Sequence, residues 1–284
     1  MKSLQVGTYE IFWLNGGAFE LDGGTMFGPV PKIIWSKRYP VDQENYIRLV
    51  ATPLLIKGPG VTILIESGIG NKLTDKQRKI FRIQQEWDLP AELSSLGIDR
   101  QDIDTVILTH GDWDHASGIV MHNQEEKPEL TFANARHYLQ RSEWDDIRRP
   151  NTRAASSYWP HNFDLLAESD NLILVDDEVI VAPGITLCRT GGHTRGHQAI
   201  KIDSEGQRAI HMGDLMPTHA HLNPLWVMAY DNYPLEVIDR KRELTKWAVN
   251  AEAWVLFYHN PFLSACCFSP EGTITKQWPP AADT

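Results

Sequence analysis

Short apolar runs alternate with longer amphipathic stretches along most of the chain, and glycine, proline or polar residues stand between them. Short runs rich in β-branched residues are typical of strands, whereas apolar residues at helical spacing are typical of helices. Helices are therefore predicted over residues 75–87, where Ile80 and Ile83 share a face, and over 235–249. Strands are predicted at 61–65, 104–108, 178–182, 185–189, 199–202, 208–212 and 253–258.

Two pairs of these strands are separated by turn signals. Pro183-Gly184 follows the strand at 178–182, and residues 203–206 (DSEG) follow the strand at 199–202. Such residues favour tight turns, so both pairs are predicted to form hairpins. Strands and hairpins that interleave with helices indicate an α/β sandwich in which helices cover the sheets.

The segment from residue 14 to residue 40 is different, because it is rich in glycine and aromatic residues and shows no regular period. It carries six large apolar residues, Phe19, Met26, Phe27, Ile33, Ile34 and Trp35. Apolar groups in this number need cover, either from the chain's own core or from a second subunit. We expect the second subunit, and therefore a homodimer in which residues 14–40 help to roof a pocket.

Composition indicates one large domain. Hydrophobic residues make up 42% of the 284 residues, which is enough for a sizeable core, and no linker divides the chain. We therefore predict a single domain over residues 1–284, ending in a short tail, WPPAADT. Cys188, Cys266 and Cys267 show neither a disulfide framework nor the spacing of a structural zinc site, so reduced and mostly buried thiols are expected.

Charge and hydropathy exclude two classes of partner. The net charge is −10 and lysine and arginine form no block, so nucleic acid is not an expected partner. The N-terminus lacks the apolar stretch of a signal peptide, and no later run reaches membrane-spanning length. We expect a cytoplasmic protein with no membrane partner.

The first cluster of potential metal ligands lies in the stretch THGDWDH (residues 109–115), which follows the predicted strand at 104–108. It holds four potential metal ligands, His110, Asp112, Asp114 and His115. His110 and Asp112 are two positions apart and can point the same way. Asp114 and His115 are adjacent and are expected to diverge, which suits two neighbouring metals. The cluster predicts a metal site at the end of a buried strand.

Three further segments carry ligand-type residues at the ends of predicted strands. They are GGHTRGH with His193 and His197, HMGD with Asp214, and FYHN with His259. A sheet gathers the side chains at its strand ends along one edge, so these residues are predicted to meet the first cluster. No G-x-S-x-G motif offers a serine nucleophile instead.

The order T-H-x-x-x-D-H, G-G-H-T-x-G-H, G-D and a late strand-end histidine resembles the metallo-β-lactamase superfamily of binuclear metal hydrolases. The stretches LNGG, LDGGTMFG, WSKRYP, LTDKQR and MPTHAHLNPLWVMAYDNYP are similar to the YtnP-type quorum-quenching lactonases, a branch near the N-acyl-homoserine lactonases. The resemblance covers nearly the whole chain. It implies the αββα four-layer sandwich of the metallo-β-lactamase fold, with the site between the two sheets.

The resemblance also implies a ligand set for two divalent metal ions. One ion would be held by His110, Asp112 and His193, the other by Asp114, His115 and His259, with Asp214 bridging the two. Zinc is the first choice because histidine-rich sites suit it, and manganese, iron or cobalt are the alternatives.

Two residues are expected to support these ligands. His197 matches a histidine that usually supports the loop, and Glu66 stands where the superfamily normally has an aspartate, with one extra methylene to accommodate. Asp112 occupies a position where a third histidine could be expected. It is either a ligand or a side chain turned to solvent.

The implied activity is the opening of N-acyl-homoserine lactones or related signalling lactones. A hydroxide shared by the two metals would attack the lactone carbonyl, and Asp114 would pass a proton to the leaving alkoxide. The alternatives are an ester, thioester or organophosphate hydrolase on the same fold, an iron redox protein, or a non-catalytic metal-binding module. Metal content and a substrate panel discriminate among them.

Two parts of the sequence supply candidates for a substrate pocket. Apolar residues of the MPTHAHLNPLWVMAYDNYP stretch and of the N-terminal segment are candidates for an acyl-chain pocket, with core packing as the alternative for each. His219 and His221 have ligand-like spacing, but we prefer a place in the pocket wall or in support of a ligand. The candidates are Trp13, Phe27, His219, His221, Trp226, Met228 and Tyr230.

Overall fold

The computed structural model describes residues 2–279. Most of its strands belong to two large sheets. In chain order the strands are β1 (Leu4–Val6), β2 (Tyr9–Trp13), β3 (Ala18–Asp22), β4 (Tyr46–Val50), β5 (Leu54–Gly58), β6 (Val61–Ile65), β7 (Thr105–Ile107), β8 (Val120–His122), β9 (Pro128–Leu130), β10 (Arg136–Gln140), β11 (Leu172–Val175), β12 (Glu178–Ala182), β13 (Ile185–Arg189), β14 (Gln198–Ser204), β15 (Gln207–His211), β16 (Trp254–Leu256), β17 (Ala265–Phe268) and β18 (Ile274–Trp278).

The helices are mostly short, and α8 is the longest of them. In chain order they are α1 (Gly23–Phe27), α2 (Lys32–Trp35), α3 (Asp75–Ile80), α4 (Leu89–Ser95), α5 (Trp113–Ala116), α6 (Arg141–Arg148), α7 (Asp164–Ala167) and α8 (Pro234–Asn250). Single turns of 3-10 helix lie at Arg100–Asp102, Ser117–Ile119, Ala154–Ser156, Pro160–Asn162, Gly213–Leu215 and His219–Leu222.

Each large sheet has seven strands. The first has the order β1-β2-β5-β6-β7-β10-β11, and the second runs from β12 to β18 in chain order. The predicted strands and the helix α8 are present within two residues of their predicted bounds. Both predicted hairpins, β12–β13 and β14–β15, are antiparallel pairs.

Alternation along the strands builds three apolar layers. Ile63 and Ile65 of β6 face a core between the two sheets, together with Ile200 of β14, whereas Leu64 faces the helices outside the first sheet. On the second sheet, Ile210 points outward to the helix α8. Side chains of a strand point alternately to the two faces of its sheet, so both faces of each sheet are buried. The four-layer αββα sandwich is therefore confirmed.

The predicted helix over 75–87 is wrong in length. Thr74 caps α3 through a capping box, but the helix ends at Ile80, and Arg82 adopts a φ of +44°. The chain then turns back, and the Gln84 and Gln85 amides donate to the Ala18 carbonyl of β3. Tertiary hydrogen bonds to β3 thus override the local helical propensity.

The N-terminal segment is more ordered than its sequence predicts, because it contains β3, α1 and α2. Phe19, Met26, Phe27 and Trp35 are buried in the chain's own core. Own-core packing, the alternative that we did not favour, therefore accounts for these four residues. Ile33 and Ile34 remain exposed, at 74% and 48%.

The structure also gives the outcome of predictions on the cysteines, the C-terminal tail and the hydropathy of the chain. All three cysteines are free and buried, as expected. Trp278 of the predicted tail ends β18, and residues 280–284 lie outside the described residues. In the part of the chain that the structure describes, no helix is long and apolar enough to span a membrane.

Candidate metal centre

The potential ligands meet at one edge of the sandwich because the strands that precede them end there. Strands β6 and β7 are parallel neighbours in the first sheet, and β15 and β16 are parallel neighbours in the second. Strand β13 points in the same direction as β15, since each is antiparallel to β14. The loops that follow the carboxyl ends of these five strands carry the side chains that face a common centre. These side chains are Glu66, His110, His193, Asp214 and His259.

One group of ligand atoms comes from His110, His193 and Asp214, and these atoms lie within 4.8 Å of one another. Oδ2 of Asp112 lies beside this group, 3.3 Å from Nε2 of His193 and 3.7 Å from Nε2 of His110. Asp112 therefore faces the site rather than solvent. This is the arrangement that the sequence predicts around the first metal.

A second group comes from Asp114, His115 and His259, with the same spacing. Asp114 and His115 are adjacent in α5, yet both turn to this group, so the expectation that they would diverge to two metals is wrong. Asp214 lies between the groups. Its Oδ1 is 3.4 Å from Nε2 of His115 and 3.3 Å from Nε2 of His259, while its Oδ2 is 3.5 Å from Nε2 of His193.

All four histidines present Nε2 to the centre, and in three of them Nδ1 forms a hydrogen bond with another group. Nδ1 of His110 is 2.8 Å from Thr109 Oγ1, and Nδ1 of His259 donates to the Val50 carbonyl at 2.9 Å. An engaged Nδ1–H fixes the ring orientation and leaves Nε2 free to bind a metal.

The Nδ1 atoms of the other two rings face carboxylates. Nδ1 of His193 donates to Asp231 Oδ1 at 2.8 Å, and Nδ1 of His115 lies 3.3 Å from Glu66 Oε1. Carboxylate partners of this kind raise the basicity of a ligand histidine.

Glu66 is fully buried and occupies a supporting position. It adopts a φ of +64°, and its carboxylate accepts hydrogen bonds from the amide and hydroxyl of Thr109. The carboxylate is also close enough to His110 and His115 to form a possible ligand group with them. We assign Glu66 to support, because its oxygen faces Nδ1 of His115 and not Nε2.

His197 also occupies a supporting position. It is fully buried, its Nδ1 is 2.6 Å from Thr190 Oγ1, and its Nε2 accepts a hydrogen bond from the Asp214 amide at 3.1 Å. His197 therefore orients the residue that lies between the two groups.

Glu143 of α6 is a structural partner that the sequence analysis missed. Its Oε1 accepts from the Gly111 amide at 2.9 Å and from the Tyr158 hydroxyl, and its Oε2 accepts from the Thr194 hydroxyl at 2.6 Å and the Gly196 amide. One buried carboxylate thus joins the two loops that carry His110 and His193. Nothing in the local sequence marks Glu143, because it lies in a polar amphipathic helix. Asp231, which lies in the loop before α8, was missed as well.

The centre attracts positive charge. Burial opposes ionisation of Asp214, but the charges of His259 and His115 outweigh it and hold the pKa of Asp214 well below its ordinary range. Burial opposes protonation of His193, but its hydrogen bonds to Asp112 and Asp231 raise its pKa above the ordinary value.

The residues present fit a metal centre. Nε2 of His110 and Oδ1 of Asp214 are buried and have no hydrogen-bond partner within residues 2–279. An unpaired buried polar atom costs about 1–3 kcal/mol, and a cation bound between them would satisfy both atoms. Imidazole nitrogen and carboxylate oxygen are established zinc ligands.

A cavity of about 190 Å³ opens onto this centre. Of the predicted pocket residues, Met228 and Tyr230 line it, and Met26 of the N-terminal segment lines it as well. The sequence analysis missed six other lining residues, Leu21, Leu49, Phe81, Trp113, Ser156 and Ser157.

The remaining pocket candidates lie elsewhere. Phe27 is buried and stacks between Trp35 and His221, and Nε2 of His221 donates to the Met26 carbonyl. His219 pairs with Asn260, Trp226 lines a separate cavity, and the Trp13 indole donates to the Phe257 carbonyl. None of these five residues lines the cavity at the metal centre, where the sequence analysis placed pocket candidates. For Phe27, which is buried, the alternative of core packing accounts for its position.

Comparison with protein families gives one broad match. The model of the metallo-beta-lactamase superfamily matches residues 47–246, which is well over half of the chain. A probable metallo-hydrolase of Mycobacterium tuberculosis is 25% identical over 186 residues, or 59% of this chain. That match spans 57% of the relative's length.

Similar solved structures cover nearly the whole chain. A probable metal-dependent hydrolase from Staphylococcus aureus is 38% identical, with a TM-score of 0.92, and the match covers 96% of this chain and 98% of that one. AidC, a dizinc quorum-quenching lactonase, is 21% identical, with a TM-score of 0.77 and coverage of 94% and 93%. At this identity, AidC shows a common fold.

Proposed function

The chain belongs to the metallo-β-lactamase superfamily of metal-dependent hydrolases, and we propose that it opens lactones, above all N-acyl-homoserine lactones and related signalling lactones. The proposal rests on one observation, the convergence of two ligand groups, with Asp214 lying between them, at the floor of a small cavity that also has apolar walls. Similarity in fold to a dizinc quorum-quenching lactonase supports it.

In this proposal the residues of the two ligand groups, together with Asp112, would hold two divalent cations. Zinc suits the four imidazoles, while the three carboxylates also suit manganese, iron or cobalt. Such a pair of cations, when bound, supplies an activated water and polarises the carbonyl that the water attacks.

The cavity walls favour an uncharged substrate. Three aspartates and two histidines line the cavity near the metal centre, and no lysine or arginine is among the lining residues of the described chain. Two divalent cations and three carboxylates would sum to about +1, so little charge remains to attract an anion. A neutral lactone can place its acyl chain against Met26, Met228 and Trp113.

The chain's own residues supply the proton transfer. Hydrolysis adds the oxygen of a water molecule to the acyl carbon and breaks the ring C–O bond, so a proton that the water loses must be accepted and passed to the departing alkoxide. Asp114 lines the cavity, with Oδ2 3.6 Å from His259 Nε2, and we assign this transfer to it. Tyr230 lines the same cavity, with its hydroxyl 2.8 Å from Thr25 Oγ1, and we assign it a hydrogen bond to the substrate.

A substrate panel tests the proposal. Metal-loaded protein would be assayed with N-acyl-homoserine lactones of several chain lengths, an aryl ester, a thioester, a phosphotriester and a phosphate monoester. We expect kcat/KM for the best lactone to exceed the others by about tenfold or more. A higher value for the thioester or phosphotriester would assign the enzyme to that class. Tight metal binding without hydrolysis of any compound would support a non-catalytic or redox role.

A further inference from the structure

A second and larger cavity lies between α8, the segment 220–226 and the turn between β17 and β18. Its volume is about 590 Å³, against about 190 Å³ at the metal centre, and the two cavities share no lining residue. We call it the α8 cavity. Neither the ligand groups nor the proposed hydrolysis uses it.

The α8 cavity carries an excess of positive charge. Arg38, Arg242 and Lys246 line it, against the single carboxylate of Glu271. Within the described residues, Arg38 and Lys246 form no salt bridge, and the one partner of Arg242 is Asp239 at 3.9 Å. Because the whole chain has a net charge of −10, this concentration of cations departs from the average charge of the surface and would favour an anion over a cation.

The same cavity offers apolar walls. Leu222, Trp226 and Val249 line it, and the Arg38 guanidinium lies 5.9 Å from the Trp226 ring centroid. Thr245 lies on the wall between the cations of α8, and its buried Oγ1 has no hydrogen-bond partner in the described chain.

Helical geometry aligns these groups. Residues 242, 245, 246 and 249 recur at helical spacing, so one face of α8 presents two cations, a hydroxyl and an apolar group together. The site therefore matches a molecule with a charged end and an apolar body.

We propose that the α8 cavity binds a small organic carboxylate. Its carboxylate would lie among Arg38, Arg242 and Lys246, and its hydrocarbon part would lie against Trp226, Leu222 and Val249. The volume is within the range of about 300–1,000 Å³ found for small-molecule sites. The inference does not depend on the reaction at the metal centre.

Calorimetric titration of metal-loaded protein with octanoate tests the proposal, with acetate and inorganic phosphate as comparison ligands. Octanoate should bind with about 1:1 stoichiometry and at least about tenfold more tightly than acetate or phosphate, because only octanoate reaches the apolar walls. Arg242→Glu should weaken octanoate binding by about tenfold or more. Arg240→Glu is the matched control, since Arg240 lies on the same helix but outside the cavity, and it should leave binding within about twofold.

Three outcomes would overturn the proposal. The first is equal octanoate binding by Arg242→Glu and Arg240→Glu, which would place octanoate elsewhere, such as at the metal centre. The second is equal affinity for acetate, phosphate and octanoate. The third is the absence of saturable octanoate binding. Arg242 is 65% exposed, so its replacement is expected to fold, and Lys246→Ala provides a second variant that should also weaken binding. Melting curves of each variant check the fold.

Discussion

Oδ2 of Asp112 lies 3.3 Å from Nε2 of His193, and both atoms face the candidate metal centre. Asp112 is also the N-cap residue of α5, yet its side chain makes no capping hydrogen bond. An N-cap aspartate that forms this hydrogen bond normally stabilises its helix by about 1 kcal/mol. The Asp112 carboxylate does not stabilise α5 in this way and faces the centre instead.

We predict that Asp112→Ala weakens retention of one metal, because the first ligand group loses its second oxygen donor. Asp112→His should lower the apparent pKa of the pH–rate profile and shift preference toward zinc, since a neutral ligand leaves the centre more positive. Metal content and pH–rate profiles of the three proteins measure both effects. An alanine variant with both metals and the wild-type profile would show that Asp112 is not a ligand.

The two ligand groups predict about two metal ions per chain, because each group gathers nitrogen and oxygen donors within 4.8 Å. Elemental analysis of gently purified protein measures this ratio, and a chelator should remove the metals together with the activity. A reproducible ratio of one, or no metal, contradicts the binuclear assignment.

Glu143→Gln should change how stability depends on pH. Burial raises the pKa of Glu143 to about 7, against opposing hydrogen bonds from Thr194, Gly111 and Tyr158, whereas the ordinary value is 4.5. The protonated form therefore stabilises the fold fully below pH 4.5, and this stabilisation is lost as the pH rises through about 7.

The free energy of unfolding of the wild type, minus that of Glu143→Gln, should consequently fall by roughly 3 kcal/mol over this window. Denaturant titrations at fixed metal concentration measure it. Glu168→Gln, which alters an exposed carboxylate, is the control. A constant difference across the window would contradict the prediction.

Tyr230→Phe tests the substrate hydrogen bond. If the hydroxyl contacts substrate, kcat/KM for the best substrate should fall by about tenfold, or about 1.4 kcal/mol. Tyr233→Phe is matched to it, because Tyr233 is 40% exposed against 39% for Tyr230 but does not line the cavity. Equal effects of the two substitutions would remove Tyr230 from the site.

The homodimer remains a prediction, now resting on Ile33 and Ile34, the exposed apolar residues of α2. Deleting residues 17–28 would remove Phe19 and Phe27 from the core, so a point substitution is the better test. Ile33→Glu should convert a dimer to a monomer in light scattering, because a buried unpaired charge destabilises an interface. Ile180→Glu, at a 70% exposed residue of β12, should not. A monomeric wild type would refute the prediction.

Local pattern determined much of this protein. Short apolar runs placed strands such as β6 and β13 correctly, because burial of both sheet faces leaves a strong signal in a few adjacent residues. The ligand-type residues were found for a related reason, since each follows such a strand by only a few positions. Their short sequence distance to a predicted strand end was enough to predict that they meet.

The tertiary structure alone decided what depends on distant contacts. Helix α3 ends early because Gln84 and Gln85 donate to Ala18, and no local pattern contains that information. Glu143 and Asp231 reach the metal loops across 32 and 38 positions of sequence, as buried partners that look like surface residues in their own segments. Phe27 and Trp226 are aromatic, and an aromatic side chain suits a core as well as a pocket wall. Only the tertiary packing shows which of the two places each residue takes. Sequence records what a residue can do, whereas its partners are set by how the sheets and loops pack together.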